Sequence, residues 1–365
     1  MRGVLSIRDA RRRGLIVTIV QSGRKTPRFA DTQIDMAHGA GGVASRRLLE
    51  GLIAPYFSNP VLRAFGDAAT VSVGGKRIAT TADGFVVKPL RFPGGSIGEL
   101  AVNGTLNDLA VSAAKPIALM TTLILEAGLP AGTLESEVEA MAIAARKAGV
   151  FIVGGDTKVV EHGKADGMYV TTFGIGEPDE RVTLDPATIQ PGDKVLLSGP
   201  IGAHGITILL ARGELDLQAD LVSDTRPVWP FVAALLECCA GALRWMRDPT
   251  RGGVATSLNE LVREGSWGIA VFEDQVPMDD AVRGACELLG LDPLHIANEG
   301  QFLAVVGCGH ADTALAALRA VPGGEHAVCI GEIRAEPKRC VVGVNGYGGT
   351  RVIDMLVGDP LPRIC

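Results

Sequence analysis

The sequence predicts a two-domain α+β protein. β-like runs alternate with helical runs from about Asp35 to Pro337, the pattern of mixed sheets layered with helices. The alternation breaks once, at Leu184-Asp185-Pro186 through Gln190-Pro191-Gly192, a stretch with linker composition. A chain of 365 residues, 47% hydrophobic and 21% charged, has enough apolar material for two cores. The expected division is therefore an extension at 1–34, an N-terminal domain at 35–188, a C-terminal domain at 189–337 and a Gly/Pro-rich tail at 338–365.

In the first half, Ile78 to Ala82, Ile117 to Leu125, Phe151-Ile152-Val153 and Met168 to Phe173 read as strands bounded by Gly, Pro or Asp. Two helices fall between them. Ser96 followed by Glu99 is a capping-box pattern that opens a helix from Ile97 to about Ala113, and Val138, Met141, Ala142 and Ala145 carry helical spacing toward Gly149. In the second half, Lys194 to Leu197 and Phe302 to Val306 read as strands, and Val254, Leu258, Leu261 and Val262 mark one helix face. No helix is expected after Pro337.

Composition narrows the function. A net charge of −6 offers no global positive field for a nucleic acid. Seven cysteines without a C-x-x-C pair suit a reducing cytosol better than a zinc site or a disulfide framework. No apolar run approaches membrane-spanning length, so a soluble cytoplasmic protein is expected. Arg11-Arg12-Arg13 before the short run Leu15 to Val20 resembles a signal peptide. The run is minimal, however, and Arg24, Lys25 and Arg28 follow it, so a disordered or mis-started extension is the preferred reading.

Neither a P-loop nor a dinucleotide-binding glycine fingerprint occurs, yet there are 47 glycines, nearly twice the usual share. They concentrate in His38-Gly39-Ala40-Gly41-Gly42, in Gly154-Gly155-Asp156-Thr157-Lys158, and in Arg247 to Gly253, which leads into a helix. That last segment is either an anion site at a helix N-terminus or a plain helix entry. Asp67, Asp83 and Asp156 sit at strand ends, and Asn107-Asp108 adds two oxygen donors. Singly, each Asp reads as a turn residue; together they are the hard-oxygen set that holds Mg²⁺ on nucleotide phosphates. Asn103 and Asn107 share a helix face, which could equally be solvated. Glu299, in Asn298-Glu299-Gly300, could be a base or a surface residue. The remaining histidines, His204 among them, show no metal-ligand spacing and are given no role.

The last residue, Cys365, is unusual in a chain with only seven cysteines. A prenylation signal would need its cysteine four from the end. Six residue steps separate it from Asp359, so at roughly 3.3 Å each the thiol could sweep about 20 Å. That is a swinging arm.

These motifs, with Thr81-Ala82-Asp83-Gly84, Pro93-Gly94-Gly95 through Asn107-Asp108-Leu109-Ala110, and the ending Pro362-Arg363-Ile364-Cys365, resemble the HypE family of hydrogenase expression/formation proteins, within the aminoimidazole-ribonucleotide-synthetase-like ATP-binding superfamily. The likeness runs from about residue 35 to 365. It implies a homodimer whose N-terminal domains pair into a β-barrel, a C-terminal α/β sandwich domain, and ATP with Mg²⁺ in a cleft lined by first-half residues. It also implies that the partner HypF loads a carbamoyl group onto Cys365, that ATP-dependent dehydration converts it to a thiocyanate, and that cyanide passes to iron on a HypC–HypD scaffold complex. By the same resemblance Asp67, Asp83 and Asp156 hold metal. Asn107, Asp108, Gly154, Gly155 and Thr157 join them around the nucleotide, Glu299 is the base and Lys158 assists it. Arg363 is expected to favour the thiolate of Cys365. The alternatives are a superfamily kinase or synthetase acting on a free small molecule, and a non-enzymatic scaffold that offers Cys365 as a ligand.

Overall fold

The computed structural model describes residues 29–365 except 58, 60, 63, 64, 214–218, 359, 360 and 362. The basic and apolar runs near the start of the chain lie outside the described residues. Asp31, within the stretch expected to be an extension, already pairs with His38 at 3.0 Å.

After a short helix α1 (Val43–Leu48) come β1 (Ala69–Val73), β2 (Lys76–Phe85), the small hairpin β3 (Arg91–Phe92) and β4 (Gly95–Ser96), α2 (Ile97–Val111), β5 (Ala114–Glu126), α3 (Ala131–Ala148), β6 (Phe151–Val160) and β7 (Met168–Pro178). The five long strands form one sheet in the order β1-β2-β7-β5-β6, parallel only between β5 and β6. Strand periodicity puts Met168 and Val170 of β7 into the core under α2 and α3, and leaves Phe173 exposed on the other face.

α2 starts where the sequence places it, but the capping box does not form. Ser96 is extended with no side-chain cap bond, and Glu137 of α3, fully buried, accepts from the amide of Gly98 at 3.0 Å. The partner helix thus supplies the oxygen that the local pattern assigned to Ser96. Asn103 and Asn107 are both buried, because α2 lies between the two domains and not at the surface.

The second domain contains β8 (Lys194–Leu197), α4 (Ala203–Ala211), α5 (Trp229–Cys239), β9 (Leu243–Arg247), α6 (Gly253–Glu264), β10 (Gly268–Phe272), α7 (Asp280–Leu289), β11 (Leu303–Val306), α8 (Ala311–Ala320) and β12 (Val328–Arg334). Alternation sends Val195, Leu197, Leu303 and Val305 toward α6, and Leu196, Ala304 and Val306 toward α5 and α8. A sheet covered on both faces is the result. One boundary needs correction: the expected tail contains β13 (Val341–Val344) and β14 (Thr350–Ile353), which extend this sheet in the order β14-β13-β10-β12-β8-β11-β9. Their apolar alternation, with Val341 and Ile353 buried, is short and glycine-interrupted, so it reads as tail until β10 supplies an edge.

Candidate active site

Three carboxylates from three separate elements converge. Asp67 precedes β1, Asp108 lies on α2 and Asp248 follows β9, and one oxygen of each lies within 4.8 Å of the others. Thr81 Oγ donates to Asp108 at 2.8 Å, and Thr105 Oγ to Asp83 at 3.2 Å, so Asp83 stands beside the same cluster. Burial pushes Asp67 up to about 6 and Asp248 up to about 8. Asp108 is pushed well above the usual carboxylate range by burial and by the charges of Asp83, Asp248 and Asp67. Arg247 offsets part of this, with its Nε 3.1 Å from Asp67 and its second arm 3.2 Å from Glu260. Carboxylates so placed repel one another when ionised. A hard divalent cation would relieve that repulsion, and oxygen donors of this kind fit Mg²⁺.

Asp67, Arg247 and Asp248 line a cleft of about 730 Å³, together with Gly41, Gly42 and Arg251. Arg251 donates to the carbonyl of Gly39 at 2.9 Å, which ties His38–Gly42 to the start of α6. Both halves of the chain therefore build the cleft, whereas only the first was expected to. Asp248 was missed as a ligand, although it has the signal that singled out Asp67 and Asp83: an Asp at a strand end inside a glycine-bearing motif.

Glu299 is 3% exposed, and its Oε1 has no hydrogen-bond partner. Burial first, then the charges of Asp248, Asp224 and Asp83, raises its pKa well above the ordinary value. Its loop is held rigidly. Asp224 accepts from the amides of Glu299 and Gly300 at 3.1 and 3.3 Å, and a Cβ on Gly300 would lie 1.8 Å from the Asp224 carbonyl. Asn298 accepts from the Gly202 amide at 2.7 Å and donates to the Pro249 carbonyl at 2.9 Å. A buried carboxyl group poised in this way can exchange a proton with a bound group.

Other expected residues lie elsewhere. Asn107 donates to the carbonyls of Arg226 and Glu299 and accepts from the Val228 amide, so its side chain joins the two domains instead of facing a nucleotide. Gly154, Gly155, Asp156, Thr157 and Lys158 form no loop but lie along the exposed edge strand β6. Gly155 is required there because a Cβ would come 1.8 Å from the Thr121 carbonyl of β5. Asp156 and Lys158 pair with each other at 2.6 Å. Sheet order puts β6 three strand spacings from β2, about 14 Å, so within one chain they do not join the Asp67 cluster.

The tail is seated against both domains. The amide of Val86 donates to the terminal backbone oxygen of Cys365 at 3.0 Å, and the amide of Lys88 to the Arg363 carbonyl at 3.4 Å, an added-strand pattern. His204 contacts the Ile364 carbonyl at 2.7 Å, and the Leu361 and Ile364 side chains are buried. Arg363 ion-pairs with Asp166, so its charge anchors the tail and is not left to the Cys365 thiol. Phe85, next to Val86, packs on Gly104, and a Cβ on Gly104 would lie 3.8 Å from Glu299 Oε2. The seated tail and the buried carboxyl group are thus near neighbours through Phe85.

Comparison with known proteins places this geometry. Residues 65–177 match the family model for the AIR synthase related protein N-terminal domain, and residues 190–343 match that for the C-terminal domain. The carbamoyl dehydratase HypE of Rhizobium leguminosarum bv. viciae is 46% identical over 336 residues, covering 92% of this chain and 96% of that protein. Among solved structures, a HypE–HypF complex matches with TM-score 0.80 and 41% identity over 85% of this chain and 99% of that one. A HypE in complex with ATP matches with TM-score 0.74 and 43% identity, covering 91% and 100%.

Proposed function

From the premise that the chain belongs to the carbamoyl dehydratase HypE family, we propose that it uses ATP to dehydrate a carbamoyl group carried on Cys365 to a thiocyanate, for the cyanide ligands of [NiFe]-hydrogenase. The observation that carries the reading is the buried carboxyl of Glu299, with an unpartnered oxygen, beside a carboxylate cluster, in a fold that also seats the cysteine-bearing tail at Val86 and Lys88.

The chemistry asks three things of these residues. Phosphoryl transfer to the carbamoyl oxygen requires charge neutralisation and positioning more than covalent help. Asp67, Asp108 and Asp248, with Asp83 beside them, would hold Mg²⁺, which supplies that neutralisation on the ATP phosphates. Gly41, Gly42, Thr250 and Arg251 line the cleft, and Arg251 would add its charge toward the phosphates. The third requirement is base chemistry: two protons must leave the carbamoyl nitrogen, one as the oxygen is phosphorylated and one as phosphate departs to leave S–C≡N. Glu299 takes a proton at the buried Oε1. Burial raises its pKa well above the ordinary value, which strengthens it as a proton acceptor.

The sheet leaves Phe151, Val153 and Val159 of β6 exposed along an unpaired edge, which supports a homodimer with the N-terminal sheets paired into a barrel. Such pairing would let the partner's Asp156 and Lys158 reach a cleft that this chain's own pair does not reach. Carbamoyl loading by HypF, cyanide delivery to a HypC–HypD complex and a cytoplasmic location complete the proposal. No helix among the described residues is long and apolar enough to cross a membrane.

The test is peptide mapping of Cys365 by mass after incubation with the carbamoyltransferase, carbamoyl phosphate and ATP. A carbamoyl group in place of hydrogen should appear first, replaced by a cyano group only when hydrolysable ATP is present. An active transferase that produces no ATP-dependent change at Cys365 would refute the reading and favour a small-molecule kinase.

A further inference from the structure

His204, fully buried near the start of α4, has no part in the chemistry described above. Its Nε2 lies 2.7 Å from the Ile364 carbonyl and its Nδ1 lies 2.8 Å from Ser223 Oγ. A carbonyl only accepts, so Nε2 carries the proton. Ser223 Oγ accepts from the Thr225 amide at 3.2 Å and donates its own hydrogen to Nδ1. The edge-on Phe92 ring, with centroids 5.6 Å apart, completes the seat. Burial lowers the imidazole pKa and keeps this neutral, single-tautomer form.

Two covalent paths lead from this seat to the loop that carries the base. The residue after Ser223 is Asp224, which holds the amides of Glu299 and Gly300. Two residues before His204, the Gly202 amide is held by Asn298. We infer that His204 is a positioning residue that couples the seating of the tail to the placement of Glu299: its ring fixes the carbonyl next to Cys365, while the segments on either side of the seat fix the Asn298–Gly300 loop. This rests on the dehydratase reading. It adds to that reading the group that registers the arrival of the tail.

The test uses the full chain with His204→Leu, His204→Gln and Ser223→Ala. Three rates are measured: alkylation of Cys365 by iodoacetamide, read on its own peptide; transferase-catalysed carbamoyl loading; and single-turnover conversion of S-carbamoyl to S-cyano. His204→Leu should raise alkylation about fivefold, the worth of one net hydrogen bond, leave loading intact and slow conversion at least about tenfold. His204→Gln, with an amide able to donate to the same carbonyl, should recover most of both losses. Ser223→Ala keeps the ring volume and should raise alkylation by a smaller factor, which preserves the test if the leucine variant does not fold. Slowed conversion with unchanged alkylation, or a glutamine variant no better than leucine, overturns the inference. The alkylation measurement needs neither ATP nor transferase. Failure of the wild-type protein to convert its tail would therefore refute the dehydratase reading while still leaving the His204 contact to be judged.

Discussion

Replacing Glu299 with Gln separates catalysis from stability, because the two should move in opposite directions. Gln preserves the volume of a side chain that is 3% exposed but cannot accept a proton. Loss of a positioned base costs about 10²–10⁴ in rate, or about 2.8–5.6 kcal/mol at roughly 1.4 kcal/mol per tenfold. Stability should change the other way. The folded pKa of Glu299 is raised well above its ordinary value of 4.5, with burial the largest cause. A raised carboxyl pKa means that the folded state binds more protons than the unfolded one. The stability this contributes is full below the unfolded pKa and is lost as pH rises through the folded pKa. Gln does not titrate, so in metal-free protein the variant should match wild type below about pH 4.5 and exceed it increasingly above. Single-turnover conversion on the Cys365 peptide and thermal unfolding across pH measure the two effects. A variant that converts its tail within threefold of wild type, or that unfolds earlier than wild type at neutral pH, would refute the assignment.

Three further outcomes are expected. Cys365→Ser should abolish thiol carbamoylation while ATP binding, followed by calorimetry, stays within about twofold, because the residues that line the cleft come from outside the tail. Asp248→Asn should weaken Mg²⁺-dependent ATP binding by at least about tenfold, with little effect on nucleotide binding measured without divalent cations. Asn107→Leu should lower stability by about 2–4 kcal/mol in denaturant unfolding, since it orphans two buried carbonyls and one amide that hold the domains together.

The sequence was most legible where a signal is local. Lys194–Leu197 is a strand with the expected ends, and α2 begins at Ile97, because apolar alternation and turn residues act over a few positions. It was misleading where a partner from elsewhere decides the outcome. Ser96 has the pattern of a cap, yet Glu137 does the capping. Gly154 to Lys158 was grouped with the nucleotide site by resemblance, yet β5 recruits it as an edge strand. Of the site, Asp67, Asp83 and Glu299 were visible as carboxylates in turn or loop contexts and Asp108 as an oxygen donor on an expected helix, and the structure adds their convergence and burial. His204 and Asp224 carry no local signal at all: each matters only because residues far along the chain come to it.

The tail is seated through the backbone oxygens of Arg363, Ile364 and Cys365, the buried side chains of Leu361 and Ile364, and the Arg363–Asp166 ion pair. None of these contacts senses what the sulfur carries. The Cys365 side chain does pack against the hydrophobic core, so on the proposed reading a group loaded onto the sulfur alters the seat at that contact. On that reading the arm is part of the enzyme, so substrate and enzyme are equimolar and raising substrate concentration cannot drive the reaction.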